Sequence, residues 1–206
     1  MESESRHQCL IYDGPPSHKL LVLSEIIQRK LLEGYRCLYL NSSPMIAGLR
    51  STLAAIGVDV EMGIQNKRLI LSSEQIIPRG DFDVKLMLNK LEATLDEALN
   101  DGYPGLWASG DMTWEFSPGN DFSKLMEYEM QLEELFRNRK ELCGICQYHK
   151  DTLPYDALRQ SLLTHSSVIV NQTLTRVNPH YLKSSWPADR NTTQKMDEMI
   201  AALCKE

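Results

Sequence analysis

The stretch Gln8-Cys-Leu-Ile-Tyr-Asp-Gly-Pro-Pro-Ser-His-Lys19 decides the fold. An apolar run from Cys9 to Tyr12 predicts a strand, an Asp-Gly-Pro-Pro turn ends it, and a helical pattern begins near Ser17. A strand, a glycine-containing turn and a lysine at a helix start are the parts of a phosphate-binding loop. The pattern therefore predicts the first strand and helix of an α/β protein, with this turn at the carboxyl end of the strand.

The turn matches a working phosphate-binding loop at its lysine alone. The motif G-x-x-x-x-G-K-[ST] supplies bare backbone amides for phosphate and a hydroxyl for Mg²⁺. Counting back from Lys19, the two glycine positions hold Asp13 and His18, and the hydroxyl position holds Leu20. Two prolines also remove amide donors from the turn. We therefore expect no competent ATPase, although Lys19 at a helix start leaves nucleotide binding without hydrolysis open.

The rest of the chain alternates strand and helix patterns, which predicts a three-layer α/β fold with a mostly parallel sheet and helices on both faces. No repeat or linker divides residues 1–206, so the chain is predicted to be one domain. The predicted strands after the first are Arg36–Leu40, Lys67–Ser72, Leu106–Asp111, Leu142–Tyr148 and Ser167–Asn171. The predicted helices cover 18–33, about 44–56, 82–100, 122–138, 154–164 and about 192–204.

Composition excludes several classes of function. A net charge of −6 and a pI near 5.4 argue against a dedicated nucleic-acid surface, which needs clustered Lys and Arg. We find no apolar run of membrane-spanning length and no signal-peptide pattern at the first residues. The five cysteines are odd in number and widely spread, unlike a secreted disulfide framework. We predict a reduced, cytoplasmic protein without direct nucleic-acid or membrane contacts.

The predicted order and the strand that ends in Asp111 resemble the RecA/KaiC-like ATPase core. In that core, a catalytic glutamate follows the second strand and activates the attacking water. Here the corresponding residues are Asn41, Ser42 and Ser43, so the resemblance also implies that the catalytic carboxylate is missing.

At a finer level the chain resembles the methanogen/methylotroph sensory (MEDS) domain, the family named for a dichloromethane-responsive regulator. The resemblance covers residues 7–182 and implies a prokaryotic, non-catalytic sensor of small hydrocarbon-like molecules. Family members are often joined to histidine-kinase or DNA-binding partners, which implies a kinase or transcription-regulator partner acting in trans here. The matching segments are His7-x-Cys9-Leu-Ile-Tyr12, Glu33-Gly-Tyr-Arg-Cys-Leu-Tyr39, Ser109-Gly-Asp-Met-Thr-Trp114, Ile145-Cys-Gln-Tyr148, Leu163-Thr-His165 and Asn178-Pro-His-Tyr181.

Ligands of open parallel sheets bind beyond the carboxyl ends of the strands. That rule gathers polar side chains and one tryptophan onto one rim, without an evident nucleophile and base. We therefore predict a small-molecule pocket with no catalytic residue and no cofactor. Its candidate residues are Asp13, Ser17, His18, Lys19, Asn41, Ser42, Asp111, Thr113, Trp114, Gln147, Tyr148 and His149.

A metal site is a weaker alternative. Cys143, Cys146 and His149 have ligand-like spacing for Zn²⁺. Residues three apart in a strand point to opposite faces, however, so Cys143 and Cys146 are predicted to be buried core residues instead, with a redox pair as a further alternative. A coordinated set of Cys9, Cys37 and Cys146 on neighbouring strands stays open.

Other polar features have structural interpretations. We predict that His165 caps a helix and that His7 lies at a strand edge. The acidic helix 122–138 is predicted to be a solvated outer helix, with a partner surface or self-association into a homo-oligomer as the alternative.

Three hypotheses of function follow. In the favoured one, ligand binding shifts the Asp13–Lys19 turn and the loop 111–120, which changes a surface used by a signalling partner. The second is a nucleotide-binding regulator with a degenerate phosphate loop. The third is a protein-interaction module without a ligand.

Overall fold

A computed structural model describes residues 6–73, 83–115, 122–171 and 173–177, together with residues 194, 196–198, 200 and 201. The first strand leads through a short 3-10 turn, Pro16–Lys19, into the first helix. The strands are β1 (His7–Tyr12), β2 (Arg36–Leu40), β3 (Leu69–Ser72), β4 (Leu106–Asp111), β5 (Leu142–His149), β6 (Ser167–Val170) and β7 (Thr173–Val177). The helices are α1 (Leu20–Leu32), α2 (Ser43–Ala55), α3 (Val60–Gln65), α4 (Val84–Asn100), α5 (Met112–Glu115), α6 (Leu125–Asn138) and α7 (Tyr155–Thr164).

The strands form one sheet in the order β3-β2-β4-β5-β1-β6-β7. The first six strands pair in parallel, and β7 pairs antiparallel with β6. The predicted, mostly parallel α/β sheet is therefore confirmed. His7 begins β1, which lies between β5 and β6, and its side chain is buried. The predicted position of His7 at the edge of a strand is therefore confirmed.

Helices cover both faces of the sheet, as predicted. On the face that we call the α1 face, Leu23 and Ile27 of α1 and Leu49 of α2 pack on the strands. On the opposite face, the α6 face, the buried side chains of α4, α6 and α7 pack on the strands. Met196 and Ile200 of the C-terminal segment are also buried in this second core. Among the helices that the structure describes, none has the length and apolar character to cross a bilayer.

Some predicted boundaries differ from the structure. The first α-helix begins at Leu20, because the two prolines hold the residues before it in a 3-10 turn. Residues 112–115 form the short helix α5, and the rest of the loop predicted for residues 115–120 lies outside the described residues. Helix α3 and strand β7 were not predicted. The C-terminal helix is described at 194, 196–198, 200 and 201, and the remainder of its predicted range is not.

Gly144 marks the closest approach between two central strands and a helix. A Cβ atom at this position would lie 2.1 Å from the carbonyl oxygen of Ala108 and 3.3 Å from Cζ of Phe136. Because the first distance is far below van der Waals contact, no larger residue fits without moving the backbone. The glycine thus allows α6 to lie directly on β5.

Candidate functional site

The Asp13–Lys19 turn is held from two neighbouring loops. The amide of Asp13 donates to Oδ1 of Asn171 over 3.1 Å, and the amide of Gly14 donates to Oδ2 of Asp151 over 2.8 Å. Nε2 of His149 donates to the carbonyl oxygen of Gly14 over 2.8 Å. The last residue of β5 and the residues that follow β5 and β6 therefore fix this turn in place.

These contacts use amides that a phosphate would need. Pro15 and Pro16 have no amide proton, and the amide of His18 donates to the carbonyl oxygen of Pro15 over 2.9 Å. The side chains of Ser17 and His18 are exposed at the surface. A phosphate cradle depends on several amides that point at one anion, and the amides of Asp13, Gly14 and His18 instead donate to acceptors within the protein.

Lys19 is buried and paired with a carboxylate. Its side chain forms an ion pair with Asp111, and its Nζ donates to the hydroxyl of Tyr12 over 2.7 Å and lies 4.0 Å from the Tyr12 ring centroid. Burial lowers the pKa of Lys19, and the adjacent Asp111 opposes that shift. The lysine that the sequence predicts at a ligand rim thus contacts the acid at the end of β4.

More hydrogen-bond donors surround the carboxylate of Asp111. The Tyr12 hydroxyl donates to Oδ2 of Asp111 over 3.1 Å, and the amide of Thr113 donates to Oδ1 over 3.0 Å. Nδ2 of Asn41 lies 3.3 Å from Oδ2 of Asp111 and 3.0 Å from the hydroxyl of Tyr39. Burial, and then the Asp111 charge, raise the pKa values of both tyrosines above their ordinary range. We call this set the buried polar network: Tyr12, Lys19, Tyr39, Asn41 and Asp111.

Gln147 extends the polar groups along the α1 face. Its Nε2 donates to Oγ of Ser109 over 2.7 Å, and that hydroxyl donates to the carbonyl oxygen of Ile145 over 2.7 Å. The structure thus brings five of the twelve predicted rim residues near one another, namely Lys19, Asn41, Asp111, Thr113 and Gln147. The side chains of Lys19, Asn41 and Asp111 contact each other, whereas Oγ1 of Thr113 and Oε1 of Gln147 are buried without a hydrogen-bond partner among the described residues. Ser42, at the start of α2, is half-buried. The side chain of Trp114 lies outside the described part of the chain.

Tyr148 does not join this set. Adjacent residues of a strand point to opposite faces, so Tyr148 lies on the α6 face while Gln147 lies on the α1 face. The Tyr148 hydroxyl donates to Oε1 of Glu129. Its placement at the rim is wrong for this reason. The same alternation puts Cys143 on the α1 face and Cys146 on the α6 face, so the two thiols do not meet.

A cavity of about 420 Å³ lies on the α6 face, between α4, α6 and the strands β2 to β5. Ala108 and Gly110 are partly exposed there, although β4 is a central strand. Polar residues that line it include Ser72, Thr94 and the charged Lys90 and Glu97. Aliphatic side chains predominate in its wall, among them Leu38, Leu40, Ile70, Met87, Leu91 and Leu132.

Four buried side chains with metal-binding chemistry form a second cluster beneath α6, namely His7, Glu129, Cys146 and His165. Burial raises the pKa of Glu129, with His7 opposing the shift, and burial lowers the pKa of His165. His165 directly follows α7 and caps its C-terminus, as predicted, with its Nδ1 2.7 Å from the carbonyl oxygen of Ser161.

The sequence interpretation missed this cluster as a unit. One signal was available, because Glu129 falls on the apolar face of α6, between Leu125 and Leu132 at helical spacing. A carboxylate on such a face is buried and must find partners. The partners come from β1, β5 and the end of α7, and sequence spacing does not bring those elements together.

Comparison with known proteins gives a family. The model of the MEDS family, described as the methanogen/methylotroph, DcmR sensory domain, matches residues 6–166. The chain is also similar to the transcriptional repressor DcmR of Methylorubrum extorquens, with 25% identity over 159 residues. That match covers 77% of this chain and 57% of the repressor, so the chain spans little more than half the length of that relative.

Among solved structures, the chain is similar to a KaiC-like protein from the archaeon Pyrococcus horikoshii. The superposition has a TM-score of 0.57 with 14% identity, and it covers 81% of this chain and 71% of the other. At this identity the similarity concerns the fold alone, and it confirms the predicted KaiC-like architecture.

Proposed function

The chain belongs to the family of the methanogen/methylotroph, DcmR sensory domain, and we propose that it senses a small, largely apolar molecule that binds in the cavity between α4, α6 and the sheet. In this proposal the domain is not an enzyme and uses no nucleotide. Ligand binding regulates a signalling partner of the histidine-kinase or transcription-regulator class. The similarity to a transcriptional repressor supports the regulatory part of the proposal.

The cavity is the observation that carries the proposal. Its volume of about 420 Å³ falls in the usual range of small-molecule sites. Its aliphatic wall favours ligands with few polar groups. The best small ligands gain about 1.5 kcal/mol per non-hydrogen atom, so a ligand of about five such atoms binds no tighter than roughly micromolar. We expect a sensor that responds to micromolar or higher concentrations of its ligand.

The buried polar network argues against the nucleotide alternative. Lys19 is paired with Asp111, and the Gly14 amide is paired with Asp151. Binding a triphosphate would first require the separation of a buried ion pair, which costs several kcal/mol. We therefore place the ligand in the apolar cavity on the α6 face and assign the network a structural role.

The elements that border the cavity suggest how occupancy reaches a partner. Tyr128, Leu132 and Phe136 lie on its wall and belong to α6. The outer face of α6 carries the exposed glutamates Glu127 and Glu134 and includes Met130, which is 47% exposed. In our proposal a ligand changes the packing of α6 on the sheet, and the outer face of that helix transmits the change.

The test is calorimetry of the full chain with a panel of small hydrocarbons and chlorinated hydrocarbons. We expect saturable binding to the wild type and at least a tenfold loss in Ala108→Leu, which places three more carbon atoms in the cavity. Ala54→Leu, at an exposed position of α2, is the matched control and keeps the wild-type affinity. No saturable binding across the panel, or equal binding by Ala108→Leu, would contradict the proposal.

A further inference from the structure

Four buried side chains from four separate elements converge beneath α6. His7 begins β1, Glu129 lies in the middle of α6, Cys146 belongs to β5, and His165 ends α7. One ligand-type atom from each lies within 4.8 Å of all the others. We propose that these four residues bind one divalent transition-metal ion of the zinc class.

Three of the six distances between the ligand-type atoms match the edges of a coordination tetrahedron, and the whole set lies within 4.8 Å. Nε2 of His7 lies 3.4 Å from Sγ of Cys146 and 3.6 Å from Oε2 of Glu129. Nε2 of His165 lies 3.4 Å from the same Oε2. Zinc bound tetrahedrally at ordinary Zn–N, Zn–O and Zn–S lengths holds its ligand atoms about 3.3–3.6 Å apart. The two nitrogen–oxygen separations are also longer than an ordinary hydrogen bond.

Both histidines have the orientation of metal ligands. Nδ1 of His7 lies 2.9 Å from Oε2 of Glu133, and Nδ1 of His165 lies 2.7 Å from the carbonyl oxygen of Ser161. A carboxylate and a carbonyl accept hydrogen bonds, so the proton of each neutral ring lies on Nδ1 and the lone pair lies on Nε2. In proteins, metal-bound histidines are commonly fixed in this way by a carboxylate or a backbone carbonyl. Both Nε2 atoms face the centre of the cluster.

The carboxylate of Glu129 likewise has one atom held by a hydrogen bond and one atom that faces the cluster. Its Oε1 accepts a hydrogen bond from Tyr148, while its Oε2 faces the two imidazoles. The side chain is completely buried. Lone pairs that face one another in a dry core repel unless a proton or a cation lies among them. A divalent ion with the carboxylate of Glu129 and the thiolate of Cys146 would form a site of zero net charge.

Ligand chemistry indicates the class of metal. Two imidazoles, one thiolate and one carboxylate suit Zn²⁺, whereas Mg²⁺ and Ca²⁺ prefer sites made of oxygen atoms. Cys146 also lines the cavity on the α6 face, which offers a route to the cluster from outside the core. The proposed site differs from the set that the sequence suggested, because of those residues it uses Cys146 and neither Cys143 nor His149.

The first measurement is metal content and cobalt spectroscopy of the full chain, purified without a metal-binding tag. We expect one equivalent of zinc per chain. After chelation and addition of Co²⁺, we expect the visible bands of tetrahedral cobalt and a near-ultraviolet band from thiolate-to-cobalt charge transfer. The alternative without a metal is a protonated Glu129 together with a Cys146 thiol that donates to Nε2 of His7. Folded protein that holds no stoichiometric zinc and gives no tetrahedral cobalt spectrum would therefore overturn the proposal.

Variants locate the ion. Cys146→Ser should abolish the charge-transfer band, whereas Cys143→Ser, three residues away on the opposite face of β5, should retain it together with one equivalent of metal. Glu133→Gln removes the carboxylate that orients His7 and should weaken metal affinity about 10- to 100-fold. Glu133 is not a ligand and its side chain is 16% exposed, so this variant tests the site even if Cys146→Ser fails to fold. Unchanged metal affinity in Glu133→Gln, or a charge-transfer band that depends on Cys143, would refute the assignment.

Discussion

The ion pair between Lys19 and Asp111 gives a test of the role of the degenerate phosphate loop. Both side chains are almost entirely buried, and Lys19 lies where a phosphate-binding lysine would lie. Asp111→Asn removes the negative charge but keeps the size of the side chain. The ammonium group is then left in the core without its counter-charge. We expect this single change to be strongly destabilising.

The two single variants should differ in how much free energy of unfolding they lose. Removing one partner of a buried pair costs about 3–5 kcal/mol, which for a chain of this length lowers Tm by roughly 6–20 °C in Asp111→Asn. Lys19→Met should cost less, about 2–3 kcal/mol, since Asp111 keeps hydrogen bonds from Tyr12 and the Thr113 amide. The double variant contains no unpaired charge. Its cost should fall below the sum of the single costs by about 3 kcal/mol.

Urea denaturation followed by circular dichroism measures the free energy of unfolding of each variant. Glu61→Gln serves as the control, because Glu61 pairs with Arg50 at the surface and both side chains are largely exposed. Such a pair contributes about 0–1 kcal/mol, so this variant should stay close to the wild type. The same proteins, heated with ATP or ADP and Mg²⁺, report on nucleotide binding. We expect no nucleotide-dependent rise in Tm.

Two results would refute this reasoning. Additive costs in the double variant would mean that Lys19 and Asp111 do not interact in the folded protein. A nucleotide-dependent rise in Tm that Lys19→Met removes would mean that the lysine is available to phosphate. Either result would support a ligand-binding role for the Asp13–Lys19 turn.

Two further predictions concern the core. Gly144→Ala should destabilise the protein by about 3 kcal/mol or more in urea denaturation, because its Cβ would lie 2.1 Å from the Ala108 carbonyl oxygen; a cost below about 1 kcal/mol would contradict this close approach. The raised pKa values of Tyr12 and Tyr39 mean that above pH ~10 the unfolded chain releases these protons while the folded protein keeps them. Their contribution to stability is therefore complete below pH ~10 and is lost as pH rises, by up to about 1.4 kcal/mol per pH unit for each group. Urea denaturation at about pH 9 and about pH 11 measures this loss, and Tyr39→Phe should make it smaller; equal losses in variant and wild type would be inconsistent with a buried Tyr39 hydroxyl.

Much of the fold could be predicted because its signals are local. The strand Arg36–Leu40 was predicted with its observed bounds, since a short apolar run between a glycine stop and a helix cap leaves little freedom. Helix α4 begins and ends within two residues of its prediction, because its apolar residues recur at helical spacing. Strand β7 was not predicted, because its sequence mixes polar and apolar residues. Its strand conformation depends on antiparallel pairing with β6.

The candidate site could be predicted only in part. Strand-end reasoning correctly brought Lys19, Asn41 and Asp111 near one another, because parallel strands end at the same edge of a sheet. It did not foresee that these residues would satisfy each other. Side-chain pairing across a sheet depends on burial and rotamers, which sequence spacing does not contain.

The sequence by itself determined the order of strands and helices, the loss of the phosphate-loop glycines and the resemblance to a sensory family. Those properties depend on local patterns and on which residue stands at each position. The tertiary structure alone decided that Lys19 is buried against Asp111, that a cavity opens on the α6 face, and that Glu129 meets two imidazoles and a thiol. These contacts join residues far apart in the chain, and strand order and the packing of α6 on the sheet bring them together.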